Sequence, residues 1–193
     1  MKKLLITGFE PFGGENINPS WEAVSRLSDK IGEYSITKLL LPVTFGKAAD
    51  MAVCKAKEID ADVIIAVGQA GGRSAITPER IAINIRNASI PDNEGNQPLD
   101  ELIVERGNAA YFSTLSPRLI SESIASVGIP SQISYSAGTY VCNELLYTLL
   151  AAFDGSNTLC SFIHIPYCKE QGKEPAMEID DIVKALAAAI QNI

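Results

Sequence analysis

Residues 134–144 read Ser134-Tyr135-Ser136-Ala137-Gly138-Thr139-Tyr140-Val141-Cys142-Asn143-Glu144 and join two segments of opposite character. Residues 132–135 before the join are predicted to form a short strand, and apolar residues at helical spacing follow over 145–153. Because the connection is compact, Cys142 is expected where the turn becomes a helix. Unpaired backbone N–H groups and the helix dipole would lower the pKa of a thiol there. The alternative is a cysteine that packs as a small hydrophobic residue.

Strands and helices alternate on both sides of this segment. The predicted strands cover residues 3–7, 36–43, 62–67 and 158–165, and the predicted helices begin near Pro19, Gly46, Pro117, Cys142 and Pro175. The run at 62–67 is continuously apolar, which is typical of a central strand covered on both faces. The pattern predicts one α/β domain over residues 1–193, a three-layer α/β/α sandwich with a twisted, largely parallel mixed sheet.

Composition narrows the class of protein. The 193 residues carry a formal charge of −7 and no Lys/Arg cluster, which argues against a nucleic-acid partner. The longest apolar runs are far below the ~20 residues of a membrane span, and the apolar start at residues 4–6 is too short for a signal peptide. The four cysteines lack the spacing of a secreted disulfide framework, so we expect a cytoplasmic protein with reduced thiols.

Few residues are suited to chemistry, and they fall at predicted strand ends. His164 is the only histidine and ends the last predicted strand. Open α/β sheets place their sites at the carboxyl ends of strands, and Cys142 is expected at the same edge. A cysteine nucleophile needs a base, and the base needs a third group that fixes its tautomer. Glu79 and Asp92 both stand in suitable loops, and composition does not choose between them.

Three other features have competing interpretations. The phenylalanines of the loop at 8–14 are either core residues or the wall of a ligand pocket. The glycine-rich turn at 68–73 lacks the residues of a phosphate-binding loop. A metal site is disfavoured because structural zinc prefers short cysteine pairs in loops; its candidate ligands would be Cys142, Cys160, His164 and Cys168.

Four stretches together resemble one known family. They are Ile6-Thr7-Gly8-Phe9-Glu10-Pro11-Phe12-Gly13-Gly14 with Asn18-Pro19-Ser20-Trp21, Val67-Gly68-Gln69-Ala70-Gly71-Gly72-Arg73 with Thr77-Pro78-Glu79-Arg80-Ile81-Ala82-Ile83-Asn84, Ile90-Pro91-Asp92-Asn93-Glu94-Gly95-Asn96-Gln97-Pro98, and Ser136-Ala137-Gly138-Thr139-Tyr140-Val141-Cys142-Asn143 with Phe162-Ile163-His164-Ile165-Pro166-Tyr167. These stretches span nearly the whole chain, in order, and are similar to those of type I pyroglutamyl peptidases (pyrrolidone-carboxylate peptidases), a family of cysteine peptidases.

The resemblance assigns roles to individual residues. It implies a catalytic triad of Cys142, His164 and Glu79, and it selects Glu79 over Asp92 as the orienting carboxylate. Asp92 also matches a family position and is expected to support the site. The implied pyroglutamate pocket consists of Phe9, Phe12 and Tyr140, with Gln69 and Val141 nearby.

The chain departs from the family pattern at two places. Ser89 stands where family members often have an arginine, and Arg86, three residues earlier, is a candidate to replace it. Cys168 follows the histidine motif and is interpreted as a packing residue.

The resemblance implies an exopeptidase that removes N-terminal pyroglutamyl residues from peptides through a thioester, without a cofactor or metal. It also implies a homo-oligomer, as a tetramer. Two rival hypotheses stay open at this point. One is a general amidase or thioesterase with the same Cys/His pair, and the other is a non-catalytic ligand-binding module with a structural Cys142.

Overall fold

The computed structural model describes residues 1–193. Its helices are α1 (Pro19–Arg26), α2 (Lys47–Ile59), α3 (Pro117–Ser126), α4 (Val141–Ala152) and α5 (Ile179–Gln191). Its strands are β1 (Lys2–Phe9), β2 (Lys30–Ile31), β3 (Tyr34–Leu41), β4 (Val63–Gln69), β5 (Thr77–Pro78), β6 (Ile81–Ile83), β7 (Ala110–Phe112), β8 (Leu159–Ile165), β9 (Tyr167–Cys168) and β10 (Ala176–Met177). A 3₁₀ turn covers Lys169–Gln171.

The central sheet has six strands in the order β2-β3-β1-β4-β8-β5. The four inner strands are parallel, and the short outer strands β2 and β5 pair antiparallel to their neighbours. The carboxyl ends of β1, β4 and β8 therefore meet at one edge, where ligand sites of open α/β sheets form. The predicted fold class, with its largely parallel mixed sheet, is confirmed.

Side-chain alternation along the strands builds two cores, one on each face. Leu4 and Ile6 of β1 pack with α1, α3 and α5, whereas Leu5 packs with α2 and α4. Burying one such side chain fully contributes roughly 1.5–3 kcal/mol, so the two faces hold the layers together. Along β4 all residues are buried until Gln69, which is half-buried where the strand leaves the core. That the two cores form a single domain stays a prediction.

Two helices begin at the residues that the sequence indicates. The side chain of Asn18 accepts a hydrogen bond from the backbone of Ser20 at the start of α1, and Ser116 caps α3 in the same way through Leu119. Each cap is followed by a proline at the first helical position, where its missing N–H is not needed. None of the helices is long and apolar enough to cross a membrane.

The strand predicted at residues 132–135 is wrong. The chain here makes only isolated bridges, from Ser131, just before the segment, to Ile76 and from Ser134 to Glu79. The chain opposite it contains Pro78, which has no N–H to donate, so a continuous ladder cannot form. The segment nevertheless holds Glu79 in place, because Ser134 N donates to Pro78 O at 2.9 Å and Arg80 N donates to Ser134 O at 2.7 Å.

Candidate active site

Cys142 is the second residue of α4, two residues after the N-cap residue Tyr140. Its sulfur lies against Gly68 of β4: a Cβ on Gly68 would be 3.0 Å from Cys142 Sγ and 2.7 Å from Phe162 Cζ. Gly68 pairs in register with His164 of β8. The absence of a side chain at residue 68 thus leaves room for the thiol beside the end of the histidine strand.

His164 and Glu79 form a buried pair. His164 Nδ1 is 2.7 Å from Glu79 Oε1, and the two residues are 4% and 0% exposed. Glu79 is fixed by its own backbone, because its N–H donates to Phe162 O at 2.8 Å. The tautomer follows from this network: a carboxylate only accepts, so Nδ1 carries the proton and Nε2 is left as an acceptor.

The structure adds Arg73, which the sequence reasoning missed, to this pair. Arg73 Nη1 donates to Glu79 Oε1 at 2.8 Å, the same oxygen that binds His164, and Arg73 also donates to Thr77 Oγ1. Its Nη2 reaches Ser136 O at 3.3 Å. One buried carboxylate oxygen therefore receives hydrogen bonds from two sides. The sequence signal was faint: Arg73 is a cation that ends a glycine-rich turn at a strand's carboxyl end.

The electrostatics keep the resting thiol and imidazole neutral. Burial raises the pKa of Cys142 to about 12, with a further increase from the charge of Glu79 and an opposing effect of Arg73. Burial also lowers the pKa of His164, although the Glu79 carboxylate opposes this. Burial raises the pKa of Glu79, but hydrogen bonds from His164, Ser134 and Arg73 and the charge of His164 outweigh it, so this pKa lies below its usual value. The lowered thiol pKa expected at the helix N-terminus is wrong, since desolvation is the larger effect.

A cavity of about 330 Å³ opens above the thiol. Each residue that the resemblance assigned to the pocket lines it, and so do Cys142 and His164; the pocket residues are Phe9, Phe12, Gln69, Tyr140 and Val141. The lining contains no carboxylate, and its only formal charge is that of Arg73. Glu79 lies behind His164 and does not line the cavity.

Aromatic rings form one wall of the cavity. Tyr140 meets Phe45 edge-on, with ring centroids 5.2 Å apart, and its ring lies 6.4 Å from that of Phe12. The Tyr140 hydroxyl donates to Pro91 O at 3.1 Å, so the wall is tied to the loop at 90–98. Of the two alternatives for the loop at 8–14, the pocket wall is observed, although Phe9 is buried as well. No pattern in the sequence indicated that Phe45 would join this wall.

Asp92 is buried but does not touch the histidine. Its carboxylate accepts hydrogen bonds from the backbone N–H groups of Phe45, Glu94 and Asn96, at 2.8–2.9 Å. These bonds fold the loop at 90–98 and join it to Phe45, whose ring packs against Tyr140. Composition did not choose between these two carboxylates. In the structure Glu79 contacts His164, whereas Asp92 supports the pocket wall.

The two departures from the family pattern are also located. Ser89 is exposed, and Arg86 binds Glu101 and Glu144 at 3.1–3.2 Å, so neither side chain joins the triad. Cys168 is buried, and its N–H donates to Gln171 Oε1 at 3.1 Å.

The family model described as pyroglutamyl peptidase matches residues 2–193. The chain belongs to the pyroglutamyl peptidase family. It is 47% identical over 197 residues to a pyrrolidone-carboxylate peptidase of Staphylococcus saprophyticus, covering 99% of this chain and 92% of the relative. It is 48% identical over 196 residues to that of Brachyspira hyodysenteriae, covering 98% of each.

Solved structures of family members have the same fold. Pyroglutamyl peptidase I of Bacillus amyloliquefaciens superposes with a TM-score of 0.95 at 47% identity, over 100% of this chain and 96% of the other. Pyrrolidone carboxyl peptidase of Thermococcus litoralis does so with a TM-score of 0.93 at 40% identity, over 99% and 92%.

Proposed function

We propose that this family member hydrolyses the bond between an N-terminal pyroglutamyl residue and the rest of a peptide. In this proposal Cys142 is the nucleophile, His164 the base, and Glu79 the group that orients His164. The observation that carries the proposal is the 2.7 Å contact between His164 Nδ1 and Glu79 Oε1 at the edge of the cavity that Cys142 lines. It leaves His164 Nε2 unprotonated, and in the proposal this atom is the base for the Cys142 thiol.

The neutral resting pair indicates general-base activation of the thiol. His164 Nε2 takes the proton from Cys142 as the sulfur attacks the pyroglutamyl carbonyl carbon. The developing oxyanion is received by backbone N–H groups at the start of α4, and losing one such donor typically costs about 100-fold or more in rate. The imidazolium then protonates the departing amine, which leaves a thioester on Cys142. Water, deprotonated by His164, hydrolyses the thioester and restores the thiol.

The cavity suits a neutral, compact acyl group. A pyroglutamyl residue has a lactam in place of an ammonium, and the aromatic wall of Phe12 and Tyr140 offers it an apolar surface with few polar groups. A free N-terminal glutamine would bring an ammonium into a cavity that lacks a carboxylate and contains Arg73. We therefore expect the enzyme to discriminate against glutaminyl peptides.

The test is release of a fluorescent amine from L-pyroglutamyl-aminomethylcoumarin. Cys142→Ser and His164→Ala should each lower kcat by about 1,000-fold or more. The matched control is Cys54→Ser, which removes an exposed thiol from α2 and should leave turnover unchanged. Near-normal turnover of either triad variant contradicts the assignment. Equal rates with an acetyl amide of the same amine would favour the general amidase instead.

We propose further that the protein works in the cytoplasm as a homotetramer. The four free cysteines support a reducing compartment. Large apolar side chains left exposed support self-association; they are Leu99, Leu102, Phe112 and Tyr135. Light scattering on the purified protein should give about four times the chain mass of 20.7 kDa, and a monomer mass would contradict the tetramer.

A further inference from the structure

Gln69 is the polar group at the end of β4 that reaches the cavity. A side-chain amide has an acceptor oxygen on one side and a donor NH₂ on the other. Which of the two faces the cavity decides whether Gln69 binds a carbonyl or an N–H of the ligand.

A second glutamine, Gln171, sets that orientation. Gln171 Oε1 accepts a hydrogen bond from the backbone N–H of Cys168 at 3.1 Å. A backbone N–H only donates, so this atom of Gln171 must be the oxygen. Its Nε2 donates to Glu15 Oε2 at 3.4 Å, and a carboxylate only accepts, so this contact independently requires the NH₂ group there. The direction of the Gln171 amide is fixed at both ends.

The same Nε2 of Gln171 donates to Gln69 Oε1 at 2.9 Å. Because Gln171 presents only a donor at this point, the Gln69 atom facing it must be the oxygen. The Nε2 of Gln69 then lies on the other side of the amide and makes no hydrogen bond within the protein. A turned Gln69 amide would place two NH₂ groups against each other.

The two segments that carry these glutamines are packed tightly together. A Cβ on Gly71 would lie 2.1 Å from the hydroxyl oxygen of Tyr167. Because residue 71 has no side chain, the glycine-rich turn can pack closely against the start of the 167–171 segment. Lys173 extends the contact by pairing with Glu15, the second acceptor of Gln171. The Gln69–Gln171 contact is therefore held by its surroundings.

We propose that Gln171 is a positioning residue that holds the Gln69 amide with its N–H toward the cavity, as the donor for the ring carbonyl of the pyroglutamyl lactam. The inference rests on the proposed function and deepens it. It assigns a specificity role to the segment after the histidine motif, which does not itself line the cavity.

A double-mutant cycle tests whether Gln171 acts through Gln69. Gln171→Glu keeps the acceptor for Cys168 N–H but places an acceptor against Gln69, which must then turn its NH₂ away from the cavity. We expect kcat/KM for L-pyroglutamyl-aminomethylcoumarin to fall by about 10- to 100-fold, mainly through KM, the cost of one mispaired polar group. In a Gln69→Leu background the same substitution should have no further effect. Gln171→Met, which adds no charge near Glu15, serves as a second variant with the same expected pattern.

The control is Gln132→Glu, which makes the same exchange at an exposed residue outside the cavity lining and should leave kcat/KM unchanged. The inference is overturned if kcat/KM of the Gln171 variants, or of Gln69→Leu, stays within twofold of the wild-type value. It is also overturned if the Gln171 substitutions lower kcat/KM as much in the Gln69→Leu background as in the wild type. A wild-type protein that does not cleave the substrate overturns the proposed function itself. If the wild type cleaves the substrate but the effects of the Gln69 and Gln171 substitutions are additive, the role of Gln171 is overturned and the proposed function stands.

Discussion

Replacing Gly68 by alanine tests how closely the thiol is held against the sheet. The new Cβ would lie 2.7 Å from Phe162 Cζ and 3.0 Å from Cys142 Sγ. Atoms in contact prefer about 3.5–4.0 Å, so the ring must move by roughly 0.8–1.3 Å and the sulfur by roughly 0.5–1 Å. Overpacking of this kind costs about 1–3 kcal/mol of stability, or roughly 2–12 °C in Tm for a chain of this size. A misplacement of about 1 Å at a reacting atom can cost 100-fold, so we expect kcat to fall by about 10- to 100-fold.

The assay compares kcat on L-pyroglutamyl-aminomethylcoumarin with Tm from thermal unfolding. Gly107→Ala is the matched control, because its Cβ would lie 2.6 Å from the Tyr147 hydroxyl oxygen and 3.0 Å from Val104 Cβ, outside the cavity lining. The control should lose stability and keep kcat. The reasoning is refuted if Gly68→Ala loses stability while its kcat equals that of wild type, since the thiol would then tolerate displacement.

Three further predictions concern the charge of Arg73, the pocket wall and stability in acid. Arg73→Met removes a positive charge that lowers the pKa of both Cys142 and His164, so both limbs of the kcat/KM–pH profile should move to higher pH. Arg73→Lys is the control, because it keeps the charge and should leave the profile in place. An unshifted profile for Arg73→Met would contradict this prediction. Asp92→Asn should raise KM about tenfold with a smaller change in kcat, because weaker acceptance from Phe45 loosens the pocket wall. Burial raises the pKa of Asp92, but hydrogen bonds from Asn96, Phe45 and Glu94 outweigh it and the folded pKa is lowered. The contribution of Asp92 to stability is therefore fully present above its pKa in the unfolded chain, about 3.9, and is lost as the pH falls through its pKa in the folded protein. If the free energy of unfolding of wild type and of Asp92→Asn depended on acid pH in the same way, this prediction would be contradicted.

Local patterns predicted the fold well because its elements are locally encoded. The Asn18-Pro19 and Ser116-Pro117 caps mark helix starts through contacts within a few residues, and the apolar run of β4 reflects burial on both faces. The failure at residues 132–135 has a non-local cause. Whether an extended segment joins a ladder depends on its partner, and here the partner contains Pro78 more than 50 residues away.

The site was less predictable, for the same reason. Residue type and strand ends identified Cys142 and His164, but the choice between Glu79 and Asp92 rested on resemblance. Both carboxylates were expected in loops near strand ends, and only the tertiary structure separates their partners. The thiol pKa was misjudged because the helix N-terminus is a local feature, whereas the burial that opposes it comes from the whole fold.

Arg73 and Glu79 together explain why a neutral site suits a neutral substrate. Glu79 alone would place an uncompensated negative charge behind His164, and such a charge would favour the imidazolium and attract an ammonium group to the cavity. The Arg73 guanidinium, bound to the same oxygen, offsets part of that charge while the thiol and imidazole stay neutral. Under the proposed function, His164 is then free to accept the thiol proton, and a free amino terminus finds no carboxylate in the cavity lining. In the proposed mechanism, activation of the nucleophile and rejection of unblocked peptides thus both draw on the Arg73–Glu79 ion pair.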